Sequence, residues 1–249
     1  MTNPFRLDGK IAVVTGAGKG IGRGIAHCLC DAGADVVVSS RTQSDLDSLV
    51  AEIEAKGRRA VGVVADVTDD EALQGLAQAA KNLGGLDIWV NNAGGLPDAT
   101  PRYLARTPAD KWDAQMDLNL KAVFQGATTA FENMEEGVII NISSTSARGA
   151  SFKNGPYGAS KAAVNSLTQT MSLEFAPKIR VNAVGPGPVP TDNFNESTSF
   201  PEGKAVEDII GVPLKRLGTP EDIGHAVVYL ASPAASWVTG QCLYVAGGL

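Results

Sequence analysis

The stretch Ile11-Ala-Val-Val-Thr15-Gly-Ala-Gly-Lys-Gly20-Ile-Gly22 joins a short apolar run to a glycine-rich turn, and a helical pattern follows it. Glycines permit a tight turn, and they let backbone amides approach a pyrophosphate at a helix N-terminus, where the helix dipole favours anions. The position between a strand and a helix is the context in which such a turn indicates dinucleotide binding. The spacing has one residue more between its first two glycines than the usual fingerprint.

Short apolar runs alternate with helical patterns along the rest of the chain. This alternation predicts right-handed crossovers and a parallel sheet covered by helices on both faces, which is an α/β fold. No repeat or linker divides the chain, so we predict one domain over residues 1–249. The predicted strands are Ile11–Thr15, Val36–Ser39, Ala60–Val64, Ile88–Asn91, Val138–Ser143, Arg180–Val184 and Cys242–Val245, and the helices lie near 20–32, 43–56, 69–82, 108–132, 158–175 and 219–231.

Composition excludes several classes of function. The net charge of -6 and the absence of a basic run argue against nucleic-acid binding. No apolar run approaches the ~20 residues that span a bilayer, so we predict no membrane segment. Three cysteines, Cys28, Cys30 and Cys242, and two histidines offer no metal-like spacing, and Cys28 shares a helical stripe typical of packing. We therefore expect no metal site and a reduced, cytoplasmic protein.

The longest irregular stretch, about 185–213, is rich in Pro, Gly, Ser and Asn. A loop of this length in a compact domain is usually functional, often as a lid. We interpret it as a substrate loop, and a surface loop or a subunit contact is the alternative. Its apolar residues, which could cover an apolar ligand, are Phe194, Phe200, Val206, Ile209 and Ile210.

The end of the second strand, Ser39-Ser40-Arg41, bears on the choice of nucleotide. Folds that prefer NAD have an acidic residue near this point, which binds the ribose 2′-OH. Here Arg41 could bind a 2′-phosphate instead, with Lys19 as a second cation. We predict NADP(H), and NAD(H) is the alternative if both cations only face solvent. Asp66 is placed either to contact the adenine amine or to cap the helix that follows it.

Tyr157 and Lys161 are spaced four residues apart, so a helix would place them on one face. An ammonium beside a phenol favours the phenolate, which would make tyrosine a usable acid or base nearer neutrality. The spacing alone is typical of a solvated helix face. Ser144, 13 residues before Tyr157, strengthens the catalytic interpretation; its neighbour Ser143 is the second choice.

The order of these motifs resembles that of the classical short-chain dehydrogenases/reductases. The resemblance covers about residue 7 to 248, and it implies a Rossmann fold with a doubly wound, seven-stranded parallel sheet and, usually, a homotetramer. The C-terminal segment departs from the family in having Ala246 where Asp is frequent. The matching motifs are Thr15–Gly22, Asn91-Asn-Ala-Gly94, Asn119, Ser144, Tyr157-x-x-x-Lys161 and Pro186-Gly187.

The family resemblance assigns a role to each catalytic position. It implies that Tyr157 exchanges a proton with the substrate oxygen, that Lys161 lowers the tyrosine pKa and binds the ribose, and that Ser144 donates a hydrogen bond to the carbonyl oxygen. Asn119 would hold a water that links the lysine to solvent. The predicted nucleotide contacts are Gly16, Lys19, Gly20, Ile21, Gly22, Ser40, Arg41, Asp66, Val67, Asn92, Ala93, Gly94, Tyr157, Lys161, Pro186, Gly187, Val189 and Thr191.

The substrate is less well defined by the sequence. The expected pocket walls are mostly apolar, which favours a hydrophobic ketone or secondary alcohol such as a hydroxysteroid or a cyclic ketone. The alternatives are a 3-oxoacyl-[acyl-carrier-protein] reductase, whose acidic partner would need a basic patch, and an inactive dinucleotide-binding protein. The expected walls are Leu96, Ser146, Ala147, Phe152, Pro188 and Phe194, and the candidate basic patch is Arg102, Arg106 and Arg148.

The helix predicted over 158–175 has more apolar positions than one sheet contact requires. This excess favours a subunit interface, and ordinary core packing is the alternative. The residues concerned are Ala162, Val164, Leu167 and Met171.

Overall fold

Seven parallel strands form one sheet in a computed structural model that describes residues 3–191, 194 and 206–249. The strand order is β3-β2-β1-β4-β5-β6-β7, with every neighbouring pair parallel. The predicted α/β, doubly wound fold is therefore confirmed. The strands are β1 Ile11–Val14, β2 Asp35–Ser40, β3 Ala60–Val64, β4 Ile88–Asn91, β5 Gly137–Ile142, β6 Ile179–Pro186 and β7 Cys242–Val245.

The helices follow the predicted pattern with three differences, one of which is a short helix, Val206–Ile210, inside the stretch predicted to be irregular. The helix predicted over 108–132 is divided by a π-helical turn at Asp117–Lys121, and the helix predicted over 158–175 begins earlier, at Gly155. The helices are α1 Gly20–Asp31, α2 Gln43–Ala55, α3 Asp70–Leu83, α4 Ala109–Met116, α5 Ala122–Asn133, α6 Gly155–Glu174, α7 Val206–Ile210 and α8 Pro220–Ala231. No helix in the described ranges is both long enough and apolar enough to cross a bilayer.

The hydrophobic core lies on both faces of the sheet. Alternate residues of a strand point to opposite faces, so a continuously apolar strand supplies both layers. On β1, Val14 packs with helices α1, α2 and α8, whereas Val13 packs with α3, α5 and α6. Trp89 on β4 is fully buried in the second layer.

Helices α1 and α8 approach each other through glycines. A Cβ on Gly24 would clash with Pro220, and a Cβ on Gly224 would lie 2.6 Å from the Cys28 Sγ. Burial raises the pKa of Cys28 to about 11. The predicted packing role of this cysteine is confirmed.

The apolar stripe of α6 belongs to the core of the protein. Val164 is fully buried and Met171 is 3% exposed, and both pack beneath the helix. Leu167 packs against the same core, while Ala162 is exposed. The prediction that this stripe forms a subunit interface is therefore wrong for its buried members, because the sheet already covers them.

A buried polar chain ties α6 to the middle of the sheet. Trp89 Nε1 donates to Asn91 Oδ1 over 2.7 Å, and Asn91 Nδ2 donates to Asn141 Oδ1 over 2.9 Å. Asn141 Nδ2 in turn donates to Thr168 Oγ1 over 3.0 Å. Buried polar groups are costly unless they are paired, so this network fixes the register of β4, β5 and α6 together.

Candidate active site

A cleft of about 820 Å³ opens at the carboxyl ends of the strands. The strand order reverses between β1 and β4, and ligands of open α/β sheets bind at such a switch point. Every residue predicted to contact the nucleotide lines this cleft. Three of the four predicted catalytic residues, Ser144, Tyr157 and Lys161, line it too; Asn119 lies just behind its wall.

The glycine-rich turn packs against the residues that follow β4. Gly16 has a φ of +63°, and a Cβ there would lie 2.8 Å from the Ala93 Cα. A Cβ on Gly22 would overlap the carbonyl of Gly16 and the side chain of Asn92. Asn92 Nδ2 donates to the carbonyl of Thr15 over 2.8 Å, which locks the turn against the sheet. The turn therefore has no room for side chains at these positions.

The start of α1 suits an anion. Within the described residues, no side chain caps this helix, and its first turn contains no acidic residue. The first N–H groups of a helix lack internal partners and carry the positive end of the dipole. The start of α1 and the glycine-rich turn therefore fit the pyrophosphate of a dinucleotide, with contacts made by backbone rather than by side chains.

Asp66 lies in the cleft wall rather than on a helix cap. Its Oδ1 accepts hydrogen bonds from the N–H and the hydroxyl of Thr68, which lower its pKa. The cap of α3 is Asp69, whose Oδ1 accepts from the N–H of Glu71 over 3.0 Å. The alternative that Asp66 caps α3 is therefore wrong, because Asp69 caps this helix.

Lys161 is buried at the opposite end of the cleft. Its side chain is 3% exposed, and its Nζ donates to the carbonyl of Ile142 over 2.8 Å. Burial lowers the pKa of this lysine to about 8. The Nζ lies 5.9 Å from the centroid of the Tyr157 ring, so both groups face the same end of the cleft.

The pKa of Tyr157 is shifted opposite to the direction predicted from the sequence. Burial raises this pKa above its ordinary value, and the hydrogen bond with Ser144 acts in the other direction. The ammonium of Lys161 is itself withdrawn from water and donates to Ile142. Among protein groups alone, desolvation of the phenol therefore outweighs the hydrogen bond with Ser144 in its effect on the pKa of Tyr157.

The two candidate serines have different partners. Ser143 Oγ donates to the backbone carbonyl of Lys161 over 3.3 Å and stays in the wall between β5 and α6. Ser144 Oγ accepts from the N–H of Ser146 over 3.1 Å and bonds to Tyr157. The geometry favours Ser144 as the serine that faces a reacting oxygen beside the tyrosine.

Asn119 lies in the π turn between α4 and α5 and holds the loop after β4. Its Oδ1 accepts from the N–H of Gly95 over 2.9 Å, and its Nδ2 donates to the carbonyl of Gly95 over 2.8 Å. A Cβ on Gly94 would lie 2.8 Å from this Oδ1 and 3.3 Å from the Lys161 Nζ. The described contacts therefore give Asn119 a positioning role; its predicted water relay remains a prediction.

The substrate end of the cleft is lined as predicted by Leu96, Ser146, Pro188 and Phe194. In the described part of the chain, the predicted walls Ala147 and Phe152 do not line it. Phe152 is 78% exposed and meets Tyr103 edge-on, so it packs on the surface instead of lining the cleft.

Of the apolar residues that the sequence predicts on the long loop, Phe194 and Ile210 line the cleft among the described residues. Ile210 lines the cleft, Ile209 is 38% exposed, and Phe200 lies outside the described residues. The cleft has further lining residues that the sequence does not predict, because only the fold brings them to this edge. Among them are Asp45, Leu118, Asn154 and Leu249.

Comparison with known proteins agrees with this site. A family model described as enoyl-(acyl carrier protein) reductase matches residues 16–249. The 7alpha-hydroxysteroid dehydrogenase of Escherichia coli (strain K12) is 40% identical over 249 residues, covering 98% of this chain and 95% of its own length. The 3-oxoacyl-[acyl-carrier-protein] reductase FabG of Thermotoga maritima is 35% identical over 98% of this chain and 99% of its own.

A solved structure is similar over its full length. The structure of 7alpha-hydroxysteroid dehydrogenase complexed with NADH and 7-oxo glycochenodeoxycholic acid has a TM-score of 0.92 and 39% identity, covering 100% of this chain and 98% of that one. The sequence match and the fold match extend over the cleft and both of its ends. The chain belongs to the short-chain dehydrogenase/reductase family of oxidoreductases.

Proposed function

We propose that the protein is an NADP(H)-dependent oxidoreductase that interconverts a hydrophobic, cyclic ketone and its secondary alcohol. One observation carries the proposal: Ser144, Tyr157 and the buried Lys161 meet at one end of a cleft whose other end fits a dinucleotide. We further propose that residues 1–249 form one nucleotide-binding domain with the substrate loop at about 185–213.

The chain's own residues divide the proton chemistry among them. Tyr157 donates its proton to the oxygen of the ketone and removes it again in the reverse direction. Ser144 donates a hydrogen bond to the same oxygen, where negative charge develops. The nicotinamide ring supplies or accepts the hydride when the nucleotide is bound. Asn119 fixes the backbone at Gly95 and so keeps the neighbouring wall in place.

Lys161 supplies positive charge beside the phenol. Its position is held by the carbonyl of Ile142, and burial keeps its pKa at about 8, so it is mostly charged at neutral pH. Burial alone raises the pKa of Tyr157. Lys161 is therefore placed to favour the phenolate of Tyr157, and a bound, oxidised nicotinamide would supply further positive charge to the same effect.

The preference for NADP(H) rests on two cations at the far end of the cleft. Arg41 is exposed and has no hydrogen-bond partner among the described residues, so its guanidinium is available to a phosphate. Lys19 lies at the same corner, paired at 3.7 Å with Asp45. Use of NAD(H) is the alternative, and the similar structure with NADH is consistent with it.

A hydrophobic substrate is favoured by the walls near Tyr157. Leu96, Pro188, Phe194 and Ile210 present apolar side chains there, with Leu249 at the rim. Two similar proteins are named 7alpha-hydroxysteroid dehydrogenase and 3beta-hydroxysteroid dehydrogenase 1, which supports a hydroxysteroid substrate. We therefore propose a hydroxysteroid or another cyclic ketone as the substrate class.

The acyl-carrier-protein alternative needs a free basic patch, and two of its three arginines are engaged. Arg102 pairs with Asp98 over 2.9 Å. Arg148 donates to the carbonyl of Leu249 over 2.7 Å and lies 4.9 Å from the centroid of the Tyr244 ring. Only Arg106 is without such an engagement in the described ranges. This arrangement favours a small substrate over an acidic carrier protein.

We also propose that the protein is a homotetramer and that it is located in the cytoplasm. Large apolar side chains remain exposed on the helices, including Phe124 at 48% and Leu173 at 81%, and these could be covered by other subunits. The cysteines are free, as expected in a reducing compartment. Gel filtration would contradict the assembly if the protein eluted as a monomer.

The experiment is an NADPH-oxidation assay over a panel of carbonyl compounds. We expect turnover of oxosteroids and cyclic ketones to exceed that of acetoacetyl thioesters, and NADPH to exceed NADH in kcat/KM. Faster turnover of the thioesters would favour the carrier-protein alternative. Nucleotide binding without turnover of any compound, in either direction, would favour the inactive binding protein.

A further inference from the structure

The corner of the cleft at the end of β2, which would face the adenosine ribose of a bound nucleotide, contains an acidic residue that the sequence pattern does not indicate. We call Lys19, Ser40, Arg41 and Asp45 the ribose corner; all four line the cleft. The acidic residue expected at the end of β2 in NAD-preferring folds is absent. Asp45, from the first turn of α2, reaches the same place, and its side chain is 23% exposed.

Three chain segments meet closely at this corner. A Cβ on Gly18 would lie 3.0 Å from the Oγ of Ser40 and 3.1 Å from the Cβ of Asp45. Arg23 donates to the carbonyls of Gly18 and Asp45, over 3.1 Å and 3.3 Å, and so joins the glycine-rich turn to α2. The backbone and the Cβ of Asp45 are therefore held against the glycine-rich turn, and its carboxylate lies beside Lys19 in the cleft wall.

The side chains of Ser40 and Lys19 in the ribose corner already have partners within the protein. Ser40 Oγ donates to the carbonyl of Thr42 and accepts from its N–H, over 3.0 Å and 3.1 Å. Lys19 Nζ lies 3.7 Å from the carboxylate of Asp45. A phosphate at this corner would therefore meet two cations, Lys19 and Arg41. Asp45 competes for the lysine, and Asp66, which lines the same cleft, interacts electrostatically with the arginine.

We propose that Asp45 is a specificity residue that limits the preference for NADP(H). Its carboxylate repels a 2′-phosphate and retains Lys19, while it suits a ribose whose 2′-hydroxyl can donate a hydrogen bond. The inference rests on the proposed nucleotide-binding function and deepens it. Because the charges are near the surface, the effect is modest and falls as salt screens it.

The alternative is that Asp45 only stabilises helix α2 and has no effect on the nucleotide. An acidic residue in the first turn of a helix is stabilised by the dipole whatever the cleft binds. Asp47 provides the matched control, since it is exposed, lies on the same helix and accepts a hydrogen bond from Gln43 over 2.7 Å. Asp47 does not line the cleft, and its replacement by Asn changes the net charge by the same amount.

The test measures the binding of 2′,5′-ADP and of 5′-AMP by calorimetry, because these probes differ at the ribose 2′ position. We expect Asp45→Asn to tighten 2′,5′-ADP by about three- to tenfold at low salt and to leave 5′-AMP unchanged or weaker. Asp47→Asn should leave the ratio of the two dissociation constants within about twofold of wild type. Melting curves check that both variants fold.

Lys19→Gln provides a second, independent variant. Its cost in 2′,5′-ADP affinity should be larger in the Asp45→Asn background, where the lysine is released, than in wild type. Equal ratios for Asp45→Asn and Asp47→Asn would overturn the inference and leave the proposed function standing. A wild-type protein that binds neither probe, nor NADPH, would overturn the proposed function itself.

Discussion

Lys161 Nζ donates a 2.8 Å hydrogen bond to the carbonyl of Ile142, the last residue of β5. The next residues along the chain are Ser143 and Ser144, so this bond fixes the lysine relative to the serine that faces Tyr157. A second contact, from Ser143 Oγ to the carbonyl of Lys161, repeats the link over 3.3 Å. The strand end and the helix therefore position all three polar groups as one unit.

Burial of Lys161 makes stability depend on pH. Its pKa falls from 10.5 unfolded to about 8 folded. Between these values the unfolded chain binds more protons, so the free energy of unfolding rises with pH. The shift corresponds to about 3 kcal/mol. Relative to Lys161→Met, wild type should therefore gain about this much stability between pH 8 and 10.5.

Denaturant melts across this pH range measure the difference without nucleotide. The control is Lys111→Met, which removes an exposed lysine of α4. A difference between wild type and Lys161→Met that does not change with pH would contradict the burial argument.

The glycine-rich turn should tolerate no side chain at Gly22. A Cβ there would overlap the carbonyl of Gly16 and the side chain of Asn92 and lie 2.9 Å from the Ala17 Cα. Gly22→Ala should weaken NADPH binding at least tenfold and lower the melting temperature, since backbone must move. Gly75→Ala is the control: it lies on α3 with nothing within 4 Å of its Cβ, and it should stabilise by about 0.5–1 kcal/mol. Fluorescence titration with NADPH and thermal melting would test both variants. Normal NADPH binding by Gly22→Ala would contradict the proposed role of the glycine-rich turn in nucleotide binding.

Asn119 should act through the loop that it holds. Asn119→Ala removes both hydrogen bonds to Gly95. The Gly95 carbonyl keeps the hydrogen bond from Gln115 Nε2, whereas the Gly95 N–H loses its described partner, at a cost of about 1–3 kcal/mol. We expect a lower melting temperature and a lower kcat, because the wall at Gly94 and Lys161 shifts. Unchanged stability together with a lost kcat would instead favour the predicted water relay over the positioning role.

Arg41 should determine most of the preference for the 2′-phosphate. Loss of a charge-assisted hydrogen bond to phosphate costs about 1.5–3 kcal/mol, so Arg41→Ala should lower kcat/KM for NADPH about tenfold or more and change NADH little. Arg41→Asp should shift the preference toward NAD(H). Lys56→Ala, at the other end of α2, removes an exposed cation paired with Asp31 and serves as the control. An unaltered ratio of the two cofactors in Arg41→Ala would sink the assignment.

The sequence predicted the sheet well because its strands are buried on both faces. Continuously apolar segments such as Val36-Val-Val38 have few alternative placements, and each appears as a strand. The π turn at Asp117–Lys121 was missed, since its local sequence continues a helix and its irregularity coincides with the tertiary contact between Asn119 and Gly95. The early start of α6 has a local signal in Pro156, which suits the first turn of a helix.

The sequence predicts the site residues that lie in motifs at strand ends. It predicts less well the residues whose position depends on the packing of loops and helices. The residues of the glycine-rich turn and of Tyr157–Lys161 lie at one edge because parallel strands end there. Asp45 was missed because its place depends on how α2 packs against the turn at Gly18. The prediction that Phe152 lines the wall is wrong, because its ring packs against Tyr103, a contact that the sequence does not indicate.

The proposed function depends most on proton exchange between Tyr157 and the substrate oxygen, and one variant tests this role. Tyr157→Phe keeps the ring and removes the hydroxyl that would exchange the proton. Tyr229→Phe, on α8 and outside the cleft, is the control. The measurement is kcat, with the dissociation constant of NADPH, for the ketone that wild type reduces fastest. We expect a loss of about 10²–10⁴-fold in kcat with NADPH affinity within about threefold of wild type; turnover close to that of wild type would contradict the proposed role of Tyr157.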